Sequence, residues 1–143
     1  MARMHIHVGV DDIENNVTFY TTLFGAAPDQ QEADYAKWML DDPKVNFAIS
    51  ARARQHGVDH LGIQVETEEE LDALRARLDA ANVEQWHEGK VQCCYAASDK
   101  SWAQDPNGVA WEAFTSMARV ATYYGDDAPT QVPARCGTSA ESA

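Results

Sequence analysis

The chain has 143 residues, and 23 acidic against 11 basic side chains give it a formal net charge of −12. A field of that sign repels nucleic acid and anionic membrane surfaces, which are therefore excluded as expected partners. No apolar run approaches the roughly 20 residues of a membrane-spanning helix, and the segment from Met1 to Gly9 carries His and Arg where a secretory signal has an apolar core. We expect one cytoplasmic domain that acts on a small molecule.

The first part of the chain, from about residue 4 to residue 50, predicts a strand, a helix and three more strands. Residues 5–10 read as a strand, and Asp11 or Asp12 can then cap the N-terminus of the helix. Gly25 ends this helix. Its apolar positions are Val17, Phe19, Tyr20, Leu23 and Phe24. Short β-prone stretches follow at about residues 26–32, 35–40 and 45–50, which completes a β-α-β-β-β order.

The second part, from about residue 57 to residue 115, repeats that order. A strand at residues 58–65 leads into Thr67-Glu68-Glu69-Glu70, a capping box that opens the second helix. The buried stripe of this helix consists of Leu71, Leu74 and Leu78. Strands are then predicted at residues 83–87, 91–97 and 109–115, and the turn Asp105-Pro106-Asn107-Gly108 precedes the last of them.

Two landmarks show the same offset between the two parts. His5 and His60 are 55 positions apart, and so are the helix starts at Asp12 and Thr67. An equal offset in a strand and in a helix favours a duplicated module. We therefore predict an α+β domain over residues 1–116 that consists of two βαβββ modules. Residues 117–143 contain few apolar side chains, and we expect them to form a mobile tail.

Histidine and glutamate side chains occur at matching places in the predicted strands. His5 and His7 share one face of the first strand because strand side chains alternate, and His60 belongs to the equivalent strand of the second module. Glu112 lies among aromatic residues in the last strand, where an inward carboxylate needs a partner such as a metal. Two imidazoles and one carboxylate form the facial triad of non-haem Fe(II) oxygenases, which leaves positions open for substrate and O₂.

Each of these residues also has an ordinary interpretation. A single histidine in a strand is more often hydrogen-bonded in the core or at the surface than bound to a metal. The recurrence of His5 and His60 at equivalent positions favours the metal site. His7 stays open as an alternative to His5, because a register error of two residues exchanges them. His56 and His87 keep the ordinary interpretation.

The chain has three cysteines, and two of them, Cys93 and Cys94, are adjacent. An odd number with an adjacent pair is not typical of a disulfide framework, and a bridge between neighbours is strained. Alternation along a strand aims only one of two neighbours inward, so core packing explains the pair poorly. Adjacent thiolates instead suit a soft, thiophilic ion. Cys136 lies in the tail and is expected to be a free surface thiol.

Together these motifs resemble the vicinal-oxygen-chelate superfamily, which includes glyoxalase I, extradiol dioxygenases and bleomycin or fosfomycin resistance proteins. The matching pieces span about residues 4–115. They are His5 with Val10-Asp11-Asp12-Ile13-Glu14 and Phe19-Tyr20, His60 with Gly62 and Val65, and Asp105-Pro106-Asn107-Gly108 with Trp111-Glu112. The resemblance implies that paired βαβββ modules curl into an incomplete barrel around a divalent metal. His5, His60 and Glu112 are the ligands that it implies.

One departure from glyoxalase I bears on the type of site. Glyoxalase I resembles this arrangement but takes a further acidic ligand from the last strand of its first module. This chain has Asn46-Phe47-Ala48-Ile49 there, without a carboxylate. The departure favours an open three-ligand site of the dioxygenase type.

The segment from Cys93 to Trp102 is similar to the signature of the branch that contains the carbon–arsenic lyases (ArsI) and the cadmium-induced proteins (CadI). The resemblance implies that Cys93 and Cys94 bind a trivalent organoarsenical, such as methylarsenite or a reduced aromatic arsenical. Fe(II) at the triad would then activate O₂ as co-substrate, and cleavage of the carbon–arsenic bond would release arsenite. Lys100, expected in a loop after the thiols, either contacts the substrate or is a solvated surface lysine.

Two other functions stay open from the sequence. The thiol pair fits a protein that sequesters As(III) or Cd(II) without breaking a bond, although such a protein has no need of a facial triad. A glyoxalase-like metalloenzyme that uses Ni(II), Zn(II) or Mn(II) is the second alternative, and the missing fourth ligand speaks against it. The oligomeric state is also open, with a homodimer among the assemblies that fit.

Overall fold

The structure, a computed structural model, describes residues 2–93 and 96–119. Cys94 and the segment 120–143, which includes Cys136, lie outside the described residues, and Cys93 is described by its backbone alone. The described part contains two helices and eight strands. They are β1 (Arg3–Gly9), α1 (Ile13–Phe24), β2 (Gln30–Glu32), β3 (Tyr35–Asp41), β4 (Lys44–Ser50), β5 (Gly57–Val65), α2 (Glu68–Ala80), β6 (Gln85–Cys93), β7 (Ala96–Gln104) and β8 (Ala110–Arg119).

All eight strands form one sheet in the order β2-β3-β4-β1-β5-β8-β7-β6. Each module forms half of the sheet. In the first module β1 pairs in parallel with β4, in the second β5 pairs in parallel with β8, and the other neighbouring strands are antiparallel. The halves join through antiparallel β1 and β5, where His5 lies opposite Gly62 and His7 opposite His60. A shift of 55 positions exchanges these two pairs, so the sheet has the twofold pseudosymmetry expected of a duplication. The predicted α+β fold of two βαβββ modules is confirmed.

Both helices begin where the sequence predicts. The Asp12 side chain accepts a hydrogen bond from the backbone N–H of Asn15 at 2.8 Å and caps α1. Thr67 and Glu70 form the complete capping box at the start of α2. Gly25 ends α1 with a φ of 67°, a left-handed conformation that glycine adopts without steric cost.

The helices cover one face of the sheet. Under α1 the core contains Trp38, Phe47 and Ile49, and Tyr20 and Phe24 of the helix pack against it. Under α2 a smaller cluster contains Val65, Leu71 and Ala113. Because strand side chains alternate, the other residues of the same strands face the opposite side. That opposite side carries the polar residues described below.

The helix pattern of the first module differs from the sequence prediction at two positions. Phe19 and Leu23 were expected among the apolar positions of α1, yet their side chains are 59% and 62% exposed. The buried stripe instead follows Ile13, Val17 and the two aromatic residues that pack under the helix. The first β-prone stretch is also shorter than predicted, because β2 contains three residues.

The hairpin of β6 and β7 corrects the predicted strands of the second module. The sequence predicts strands at residues 83–87 and 91–97 with a loop after them, whereas β6 runs unbroken to Cys93. The β6–β7 pairing shifts between His87 and Gly89, and Gly89 has a φ of 68°, so a β-bulge resembles a turn in the sequence. Lys100 consequently lies in β7 and not in a loop, and it is 5% exposed.

Strand β8 continues to Arg119, so residues 117–119 extend the sheet beyond the expected start of the tail. The rest of that segment lies outside the described residues. In the described ranges no helix is both long enough and apolar enough to cross a membrane.

Candidate metal centre

The face of the sheet opposite the helices encloses a cavity of about 30 Å³, lined mostly by polar residues and large enough for a single ion or water molecule. Six strands contribute to its lining, including His5 and His7 of β1, His60 of β5 and Glu112 of β8. A larger and mostly apolar hollow of about 380 Å³ lies beneath α2. That hollow is lined by none of the histidines, so the chemistry belongs to the smaller cavity.

Three predicted ligand atoms form a compact triangle in the smaller cavity. His5 Nε2 lies 3.2 Å from His60 Nε2, which lies 3.1 Å from Glu112 Oε2, and the third edge, from His5 Nε2 to Glu112 Oε2, is 3.5 Å. Metal–nitrogen bonds of about 2.1 Å at right angles place neighbouring donors about 3.0 Å apart. The triangle therefore has the dimensions of one face of a slightly expanded octahedron.

The rings of the two histidines are oriented by their other nitrogens. His5 Nδ1 lies 3.1 Å from the carbonyl oxygen of Asn46, and His60 Nδ1 lies 2.7 Å from a carboxylate oxygen of Asp59. Carbonyl oxygens accept hydrogen bonds only, and so do ionised carboxylates, so each Nδ1 carries the proton and donates. The two Nε2 atoms then point their lone pairs at a common centre, where a cation satisfies both.

Asp59 is a functional residue that the sequence analysis missed. Strict alternation aims Asp59 away from the face that carries His60. The pairing of β1 with β5 shifts between His7 and Val8, however, and the bulge leaves Asp59 as the extra residue. Its carboxylate thereby contacts the neighbouring imidazole. The available signal was a carboxylate adjacent to a candidate ligand, although a bulge cannot be located from alternation alone.

Gly62 allows the ligands of the two modules to meet. It pairs with His5 on one side and with Glu112 on the other. A Cβ on residue 62 would lie 2.6 Å from the Glu112 carbonyl oxygen and 3.2 Å from its Cβ. The absence of a side chain is therefore what permits Glu112 to lie this close to β5.

Lys100 and Glu112 form a buried ion pair. Lys100 Nζ lies 2.6 Å from Glu112 Oε1, and both side chains are almost fully buried. Burial on its own raises the pKa of Glu112, but the Lys100 ammonium and the two imidazoles outweigh burial and hold that pKa well below its usual range. The carboxylate is thus ionised, and because Lys100 holds Oε1, only Oε2 faces the triangle.

The pKa values of the two imidazoles shift in opposite directions. Burial, opposed in part by Glu112, lowers the pKa of His5 to about 4, so this ring is neutral at pH 7. Burial also acts on His60, but its hydrogen bonds to Asp59 and Glu112 outweigh burial and raise its pKa. Asp59 and Glu112 therefore make the environment of the His60 ring more favourable to positive charge than that of the His5 ring.

His7 does not have the ordinary environment that the sequence analysis gave it. It is 1% exposed, and its Nε2 has no hydrogen-bond partner in the described part of the protein. Its ring centroid lies 4.8 Å from that of His60. By contrast, His56 is exposed and His87 Nδ1 lies 2.8 Å from Ser101 Oγ, as an ordinary interpretation predicts.

The backbone relates the cysteine pair to this cavity. Cys93 is the last residue of β6 and pairs with Ala96 of β7. Two residues of β7, Ser98 and Lys100, line the cavity. The hairpin that carries Cys93 therefore also forms one wall of the candidate metal centre, and the role of the thiols stays a prediction.

The paired modules and the buried set of two imidazoles and one carboxylate define a metalloprotein of the glyoxalase and dioxygenase type. The chain belongs to the Glyoxalase/Bleomycin resistance protein/Dioxygenase superfamily, whose family model matches residues 3–113. This finding confirms the resemblance drawn from the sequence.

Individual relatives narrow the comparison. A trivalent organoarsenical cleaving enzyme of Bacillus sp. (strain MD1) is 40% identical over 123 residues, which are 84% of this chain and 76% of that enzyme. The cadmium-induced protein CadI of Mycobacterium tuberculosis (strain ATCC 25618 / H37Rv) is 33% identical over 124 residues, 86% of this chain and 82% of that protein. An extradiol ring-cleaving dioxygenase from B. fuscum shares the fold, with a TM-score of 0.61 and 16% identity over 83% of this chain and 34% of that chain.

Proposed function

We propose that this protein is an Fe(II)-dependent, non-haem dioxygenase that cleaves the carbon–arsenic bond of trivalent organoarsenicals and releases arsenite. The observation that carries the proposal is the triangle of donor atoms from His5, His60 and Glu112, buried and about 3 Å on each edge. The 40% identity to a trivalent organoarsenical cleaving enzyme supports the substrate class. Methylarsenite and reduced aromatic arsenicals are the candidate substrates.

The donor set fits iron. Two imidazole nitrogens and one carboxylate oxygen would suit Fe(II), and a set of three protein donors would leave room for O₂ and the substrate. The two Nε2 lone pairs that face each other at 3.2 Å need a cation or a proton between them, and this is the polar deficit that a metal removes. Bound there, iron supplies a position at which O₂ and the substrate meet.

The surrounding residues orient the donors and exclude water. The Asn46 carbonyl and the Asp59 carboxylate hold the two imidazole rings, and Lys100 keeps one oxygen of Glu112 occupied. Phe114 and Trp102 place their rings 5.2 Å from His5 and 5.0 Å from His60, as centroid distances. These apolar walls keep the centre dry, which strengthens every electrostatic contact within it.

Cys93 and Cys94 are proposed to bind the arsenic atom through their sulfurs. Trivalent arsenic is thiophilic, and two thiolates on adjacent residues hold it while its organic group stays attached. Holding the arsenical beside the metal makes the reaction effectively unimolecular. The reaction needs no external reductant. Methylarsenite and O₂ give arsenite and formaldehyde, and these two products together contain both atoms of O₂.

The test is anaerobic loading with one equivalent of Fe(II), addition of methylarsenite, and measurement of arsenite and formaldehyde under air and under argon. We expect equal amounts of both products under air and neither under argon. Glu112→Ala should abolish release while the arsenical still binds. Cys93→Ser or Cys94→Ser should abolish arsenical binding while Fe(II) still binds, because a neutral hydroxyl is a poor arsenic ligand. The exposed His56→Ala variant is the matched control and should behave as the wild type.

Sequestration of a soft ion is the second candidate, favoured by the 33% identity to a cadmium-induced protein. A sequestering protein needs the thiols but has no use for the buried donor triangle. Tight binding of methylarsenite by the iron-loaded wild type under air, without any arsenite release, would support sequestration and overturn the proposed cleavage.

A further inference from the structure

His7 lines the cavity of the candidate metal centre, and the pseudosymmetry of the sheet relates it to a residue of the second module. A shift of 55 positions relates His5 to His60 and, in the same way, His7 to Gly62. In the second module Gly62 pairs with Glu112, and in the first module the equivalent pair is His7 with Ala48. The second module therefore pairs a glycine on β5 with a donor on β8. The first module pairs a donor on β1 with an alanine on β4.

This exchange has a steric reason. Glu112 fits against β5 only because residue 62 has no Cβ, which would lie 2.6 Å from the Glu112 carbonyl oxygen. In the first module the small side chain is on β4, where Ala48 is fully buried and offers no ligand atom. The donor of that pair is on β1 instead. The first module thus presents an imidazole from β1, whereas the second presents a carboxylate from β8.

The environment of His7 fits a ligand better than a packing residue. Its Nε2 is buried and has no hydrogen-bond partner within residues 2–93 and 96–119. A buried polar atom without a partner is unfavourable, so such an atom in a native cavity calls for one. One ring nitrogen from each of His5, His7 and His60 lies within 4.8 Å of the other two. Donors on one octahedral ion lie about 3.0 Å apart when adjacent and about 4.2 Å apart when opposite.

We propose that His7 is a fourth protein ligand, so that three imidazoles and one carboxylate hold the metal. The His7 donor atom lies within 4.8 Å of those of His5 and His60, which is close to the separation of about 4.2 Å between opposite donors on one octahedral ion. The inference rests on the metal centre of the proposed function and deepens it. Four protein ligands leave an octahedral ion with two open positions instead of three.

The number of open positions determines how the arsenical is held. With two positions the metal cannot bind O₂ and also chelate a substrate through two atoms. One position would then remain beside O₂, so the arsenical would need further contacts with the protein, which the thiols of Cys93 and Cys94 are proposed to supply. The number of metal ligands therefore connects the assignment of His7 with the proposed role of Cys93 and Cys94.

The experiment counts coordinated imidazoles in the full chain loaded with one equivalent of Co(II). Each imidazole bound to high-spin Co(II) places its remaining ring N–H proton near the ion, and this proton gives a strongly shifted ¹H NMR signal that disappears in D₂O. We expect three such signals in the wild type. His7→Gln should show two, and its Co(II) affinity should fall at least about tenfold. The matched control, His56→Gln, should keep three signals and the wild-type affinity.

Two exchangeable shifted signals in the wild type, or three that persist in His7→Gln, would overturn the proposal. The wild-type count decides by itself if His7→Gln does not fold. The readout is independent of catalysis, so failure of arsenite release with three coordinated imidazoles would overturn the proposed function alone. Release that proceeds with two coordinated imidazoles would overturn only the assignment of His7.

Discussion

The two modules share one backbone arrangement but contribute different chemistry to the same cavity. The second module supplies His60, Glu112, the orienting carboxylate of Asp59 and the buried Lys100. The first supplies His5, oriented by a backbone carbonyl of Asn46. Pseudosymmetry of the fold therefore does not extend to the side chains. In each module two parallel strands line the cavity. A small residue, Ala48 in the first module and Gly62 in the second, lies on one strand, and the donor lies on the other.

The modules also differ in how their helices are packed. Beneath α1, aromatic rings pack in tilted and edge-to-face contacts around Phe47, whose centroid lies 4.6 Å from that of Tyr20 and 5.0 Å from that of Phe24. Among the described residues, the cluster beneath α2 is smaller, and a hollow of about 380 Å³ lies there. We infer that the first module carries more of the folding stability and the second more of the charged chemistry.

Truncating the core of the first module should have the largest effect. Trp38 is fully buried under α1, and Trp38→Ala should lower the free energy of unfolding by about 3–5 kcal/mol. Trp86 of the second module is 37% exposed, so Trp86→Ala should cost less than about 3 kcal/mol. Urea denaturation of the metal-free proteins measures both. Equal losses would show that the two modules contribute equally to stability.

Gly62 and Ala48 are a matched pair for testing the steric difference between the modules. Gly62→Ala adds a methyl group against the Glu112 backbone and should lower the free energy of unfolding by about 1–3 kcal/mol. Ala48→Gly removes the methyl group from the small residue that pairs with His7 in the first module and should cost about 0.5–1 kcal/mol. Chelator competition should show weaker Co(II) binding in the first variant only. Unchanged Co(II) affinity in Gly62→Ala would contradict the role assigned to this glycine.

Asp59→Asn should have a smaller and more selective effect. The amide keeps the size of the side chain but removes the charge that holds the His60 ring, so metal affinity should fall about 10- to 100-fold. The fold should be unaffected, as judged by the unfolding transition of the metal-free variant. Asp11→Asn, at an exposed position, is the control. Wild-type metal affinity in Asp59→Asn would show that the Asp59 carboxylate is not needed to orient His60 for metal binding.

Most of the fold could be predicted from the sequence because its signals are local. The capping box at Thr67 and the offset of 55 positions depend on short patterns, and both agree with the structure. The bulges at Asp59 and Glu88 could not be predicted, since one extra residue in a strand changes the face of its neighbours without any change in composition. The bulge at Glu88 resembles a turn in the sequence. Lys100, which lies in a polar segment after it, was therefore placed in a loop and not in β7.

The donor triangle is proposed to use O₂ to cleave a carbon–arsenic bond. An oxygen electrode, combined with an arsenite assay on the same reaction of iron-loaded wild type with methylarsenite, measures the ratio of O₂ consumed to arsenite released. We predict one O₂ consumed for each arsenite released, and no release from Glu112→Gln, whose neutral amide neither pairs with Lys100 nor binds iron as a carboxylate does. Arsenite released without O₂ consumption, or by the Glu112→Gln variant, would contradict the account.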